Sequence, residues 1–114
     1  MSSTKIKMIG KSPRGIREIA DDLRWEIKAE LVDQICRKVN GADVMVLLFE
    51  KLYFRNGSYA GLMVMLTEQG EEKLADIVGF GGGEGLFNIS WGANSDFAEL
   101  AQKILQKHGF SVFV

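Results

Sequence analysis

Cysteine, histidine and proline each occur once in this chain of 114 residues, and those scarcities close off several chemistries at the outset. With Cys36 as the lone thiol no intramolecular disulfide can form, which points to a reducing compartment and to a buried structural cysteine. One histidine, His108, and no second cysteine exclude the familiar zinc patterns, so no metal is expected. Excess charge is also missing: 14 basic and 15 acidic residues leave a net charge of −1. A dedicated nucleic-acid binder concentrates Lys and Arg against phosphates, and the mildly basic stretch Lys5, Lys7, Lys11, Arg14, Arg17 reads instead as a solvated strand edge and first helical turn. Long apolar runs are absent. The longest, Val44–Phe49, is too short to cross a bilayer, and Met1–Gly10 holds no signal-peptide core, so a cytoplasmic protein is expected with no membrane partner.

What is present suits one globular domain spanning 1–114: 46 % apolar and 25 % charged residues, at a length that folds without staples. Lys5-Ile6-Lys7-Met8-Ile9 alternates as a strand does, and Ser12-Pro13 opens a helix to about Lys28 with Ile16, Ile19, Ala20, Leu23 and Ile27 on one stripe. The stretch from Trp25 to Val39 fits either a continued helix or an extended segment, closed by Asn40-Gly41. Val44–Arg55 and Ser58–Thr67 read as strands around Asn56-Gly57, the strongest short hairpin signal, with Arg55 opposite Ser58. Leu74–Phe80 and Leu86–Trp91 read as further strands. A last helix follows, with Asp96 and Glu99 as a capping pair and Phe97, Leu100, Ala101, Ile104 and Leu105 as its stripe; Phe110–Val114 is a terminal strand. The order β-α-β-β-β-β-α-β predicts an α+β fold: an antiparallel sheet of five or six strands with two helices packed on one face.

The hairpin is apolar on both sides, which a strand facing water is not. One face carries Val46, Leu48, Glu50, Leu52 and Phe54 with Tyr59, Gly61, Met63 and Met65. The other carries Met45, Leu47, Phe49, Lys51 and Tyr53 with Ala60, Leu62, Val64 and Leu66. Two helices cover one side; the other needs a second copy (a homodimer), a protein partner, an apolar ligand, or the chain's own Trp25–Val39 segment.

Glu50 and Lys51 interrupt the apolar run, one on each face. Glu50 suits a general base or the anchor of a polar ligand group, or it pairs with a helix arginine while Lys51 reaches water. The second arrangement is expected, because no further catalytic group accompanies it. The glycine run Gly79-Phe80-Gly81-Gly82-Gly83-Glu84-Gly85 fails both the dinucleotide and P-loop spacings, so Gly82 and Glu84 mark a turn or bulge in preference to an anion site, and no cofactor is implied. Trp91 before the last helix reads as core packing, with a stacking platform as the alternative.

Phe49-Glu50-Lys51-Leu52-Tyr53-Phe54-Arg55, then Gly81-Gly82-Gly83-Glu84-Gly85-Leu86-Phe87, then Ser90-Trp91-Gly92 before a final helix, resemble a family of small bacterial proteins known only as a domain of unknown function. The resemblance implies a bacterial cytosolic protein and no particular activity. Where Glu50, Lys51, Arg55 and Trp91 belong to the family pattern, they are candidate site residues or keepers of the fold. The leading expectation is a non-enzymatic binding or self-association module. The alternative is a small-molecule or catalytic pocket between sheet and helices, lined by Glu50, Tyr53, Arg55 and Trp91.

Overall fold

The structure, a computed structural model, describes residues 3–53, 58–81 and 93–113. Strand β1 (Ser3–Gly10) leads into helix α1 (Ile16–Glu26). Four strands follow: β2 (Glu30–Val39), β3 (Ala42–Tyr53), β4 (Ser58–Gln69) and β5 (Glu72–Gly81). Helix α2 (Ala93–Lys107) and the short β6 (Phe110–Val112) complete the chain. The six strands form one sheet in the order β2-β3-β4-β5-β1-β6, antiparallel throughout. Both the fold class and the element order are as the sequence predicts.

The undecided segment resolves as a strand. Residues 30–39 form β2, which pairs with β3 along one edge of the sheet and does not fold across its second face. The register of β2 slips between Leu31 and Asp33, a bulge of the kind common on edges. Its connection to β3 is the two-residue turn Asn40-Gly41, with φ of 48° and 81°. Positive φ at both central residues is what a type I′ hairpin requires. The other expected strand, Leu86–Trp91, lies outside the described residues.

The second Asn-Gly, at Asn56-Gly57, also lies outside the described residues, and the register around it corrects the expectation. Tyr53 pairs with Ser58, Leu52 with Tyr59 and Glu50 with Gly61, so residues 54–57 link the strands where a two-residue link was expected. The slip is two residues. Because side chains alternate with period two, an even slip leaves each residue on its expected face.

Helix α1 begins later than expected. Ser12 and Pro13 precede it in a turn, where the Arg14 N–H donates to Ser12 Oγ at 3.2 Å, and Gly15 is the N-cap without a side-chain bond. Its buried residues Ile16, Ile19, Ala20 and Leu23 keep helical spacing. In α2, Phe97, Ala98, Ala101, Ile104 and Leu105 are buried on the same side of the sheet. Below them lie Met8, Met45, Leu47, Phe49, Ala60, Leu62, Val64, Leu66, Ala75 and Ile77, every second residue of the central strands. The hydroxyls of Thr4 and Ser95 meet at 2.8 Å and tie β1 to the start of α2. No helix among the described residues is long and apolar enough to cross a membrane.

Adjacent residues of β4 should therefore differ sharply in their contribution to stability. Leu62, fully buried under the helices, should lose about 3 kcal/mol on Leu62→Ala. Met63 faces away from the helices and is half-buried, so Met63→Ala should cost about 1 kcal/mol or less in dilute protein. Urea unfolding of the two variants measures the difference; equal losses would contradict a one-sided core.

Candidate functional site

The sheet face turned away from the helices can be read row by row from the strand pairings. One row crosses Asp33, Leu48, Met63, Val78 and Lys5, from β2 to β1. The next, toward the Asn40-Gly41 turn, is Ile35, Val46, Met65, Asp76 and Lys7. On the other side lies Glu30, Glu50, Gly61, Phe80 and Ser3. The middle of this surface is apolar, and its charges sit mostly at the margins. Val46, Leu48, Leu52, Met63, Met65, Leu74 and Val78 are half-buried, whereas Ile35, Val39, Tyr59 and Phe80 are exposed. At Gly61 the Phe80 ring occupies the space of a side chain: a Cβ there would lie 2.4 Å from the ring. Glycine at this position lets the ring lie flat on the sheet.

The acidic margin is β2 and β3, where Glu30 stands directly across from Glu50 and Asp33 lies one row on. Like charges placed opposite each other repel, so this flank attracts cations. The basic margin is β1, with Lys5 and Lys7; Asp76 is the cross-strand neighbour of Lys7.

Glu50 is exposed and stands on this face, away from the helices. The helix arginines Arg17 and Arg24 belong to α1 on the other side of the sheet, and Arg24 holds Asp21 and Gln34, so the expected pairing of Glu50 with a helix arginine is not made. Lys51 is half-buried and on the opposite face. Tyr53 is the last residue of β3 and pairs with Ser58. Arg55, Gly82, Glu84 and Trp91 lie outside the described residues. Of the seven candidates, the structure thus separates Glu50 from Lys51.

Two polar clusters on the helix side had not been singled out from the sequence. Lys73, 4 % exposed, donates to the Ser12 carbonyl at 2.9 Å and meets Glu68 Oε2 at 3.1 Å. These two residues are cross-strand partners at the turn end of β4 and β5, below the N-terminus of α1. The alternation Lys73, Ala75, Ile77 signals an inward lysine, provided the strand is begun one residue earlier than Leu74. The second cluster joins the helices: Asp22 Oδ2 accepts from Arg14 at 3.2 Å and lies 2.9 Å from His108 Nε2. Nearby, Lys107 pairs with Glu26. His108 thus acts as a clasp between α1 and the end of α2. Cys36 is half-buried where a buried thiol was expected, because β2 is an edge strand. It borders a groove of about 420 Å³ with Gly15, Arg17, Glu18, Lys38, Met45 and Glu68. Among the described residues no group of three or more His, Cys, Asp or Glu is placed to hold a metal.

The buried ion pair is a structural device with a measurable cost of disruption. Glu68→Ala leaves the Lys73 ammonium with only a carbonyl and should destabilise the fold by about 2 kcal/mol, less than a fully enclosed pair because Glu68 keeps some contact with water. The double variant Glu68→Leu/Lys73→Met should lose less than the sum of its single changes in a urea double-mutant cycle. Strict additivity would mean the two groups do not interact.

No curated protein and no solved structure matches the chain at a significant level. A sequence-family model does match, over residues 1–109, and the chain accordingly belongs to DUF6054, a family of unknown function.

Proposed function

We propose that this protein is a non-enzymatic binding or assembly module whose working surface is the helix-free face of the sheet. The observation that carries this reading is the contiguous apolar centre of that face, Val46, Leu48, Met63, Met65 and Val78, bordered by Asp76 and by exposed Ile35, Tyr59 and Phe80. A patch of this kind costs free energy in water at roughly 25 cal/mol for each Å² of apolar surface, and contiguous patches beyond a few hundred Å² generally mark a contact site. Within the Trp25–Val39 segment expected to cover it from within, residues 30–39 extend the sheet instead. Glu50 and Lys5 then belong to the charged margin of an interface, where they orient a partner without reacting. The same reading places the protein in a bacterial cytosol: the lone thiol suits a reducing compartment, and the family resemblance supplies the origin.

Hydroxyl-radical footprinting of Met63 and Met65 tests the reading, because methionine sulfur oxidises according to its access to solvent. Modification should be rapid in dilute purified protein and at least about fivefold slower in intact cells, where a partner occupies the face. Equally rapid modification in the two settings would remove the basis for a docking surface.

A further inference from the structure

The rows of the open face carry a second regularity. Each end of the central row is charged, with Asp33 on β2 and Lys5 on β1, and Met63 lies midway between them on β4. Reversing that row about Met63 sets Asp33 over Lys5, Leu48 over Val78, and Met63 over itself. Such reversal is what a two-fold axis running along β4 does to a second sheet stacked on the first, since it carries the β2 flank of one copy above the β1 flank of the other.

We propose that the occupant of the face is a second copy of this chain, docked about a two-fold axis along β4 with Asp33 of each copy over Lys5 of the other. The proposal rests on the docking reading above and specifies its partner. Three physical points support it. The central row is complementary to itself in charge, with Asp33 at one end and Lys5 at the other; the same reversal sets Glu30 over Ser3, Glu50 over Phe80 and Lys7 over Ile35. The area is adequate, because five strands at about 4.8 Å spacing and four rows at about 6.8 Å cover roughly 650 Å², against about 800 Å² per partner in a standard interface. The geometry tolerates sheet twist: packed sheets cross at about 30°, which displaces facing rows by about 5 Å at two strands from the axis, within the reach of a lysine stem. Asp76 lies inside the covered area, but Lys7 beside it supplies the opposite charge from the same chain.

Sedimentation velocity across a concentration series, in low salt, reads the association directly. The wild-type chain should sediment as a species of twice its 12.7 kDa mass. Lys5 and Asp33 are exposed, so their substitution leaves the fold intact by circular dichroism. Lys5→Glu and Asp33→Lys should each weaken the dimer about tenfold or more, Met63→Glu should abolish it, and Lys5→Glu/Asp33→Lys should return the dissociation constant to within about threefold of wild type. Failure of the double swap to restore association overturns the proposal, as does a dimer indifferent to Met63→Glu, which would use another surface such as the β2 edge. A monomer whose Met63 and Met65 are nonetheless shielded in cells overturns the second-copy proposal while leaving the docking reading in place. A monomer with these residues already shielded in dilute solution, or equally modified in both settings, overturns both.

Discussion

Among the described residues, two helices of 11 and 15 residues cover one side of a six-stranded sheet and leave the other without a helix. That limit of coverage governs the rest of the molecule. Beneath the helices, alternate residues of β1, β3, β4 and β5 reach near-complete burial, which supplies the apolar transfer energy that offsets chain entropy. Among the described residues, no helix lies over the intervening positions. A sheet with a watery second face would alternate with polar side chains, and here the alternation runs apolar against apolar, Leu47 against Leu48 and Val64 against Met65. Selection for folding alone does not call for Leu48, Met63 or Val78 on the outer side.

Charge has been handled differently on the two sides. Within the helix-covered layer Lys73 is buried only because Glu68 and the Ser12 carbonyl meet it, a local answer to the large desolvation penalty of an ammonium. Asp22 likewise gathers Arg14 and His108 where the helices converge. These contacts fasten the α layer to the sheet and to itself. On the outer face the charges are spread to opposite flanks, with like charges beside each other at Glu30 and Glu50. Cross-strand repulsion of that sort is mildly costly within one chain.

Much of this was legible in the sequence. The helix stripes, the strands and the composition of both faces of the β3–β4 hairpin follow from periodicity, which survives an even slip of register. The hairpin turn was less legible. Asn-Gly occurs twice, and the tight type I′ reversal sits at Asn40-Gly41, where the flanking Trp25–Val39 segment carried spacings compatible with helix as well as strand. Reading that dipeptide as a hairpin would have identified β2. The ion pair of Lys73 escaped because the strand was begun at Leu74, one residue beyond the lysine whose inward parity identifies it. Glu50 and Lys51 stood out as charges in an apolar run, yet adjacent residues of a strand point to opposite faces and do not make one site.

The account stands on a difference between the two faces of one sheet, and the methionines sample both. Met8 and Met45 lie beneath the helices, and Met63 and Met65 lie on the other side. Paramagnetic relaxation of the methionine methyl signals by a soluble agent, recorded in dilute protein, compares them in a single spectrum. At concentrations where the chain sediments as a monomer, strong broadening of Met63 and Met65 with Met8 and Met45 unaffected is the predicted result; uniform protection of all four in that monomer would show the second face already covered and contradict the account.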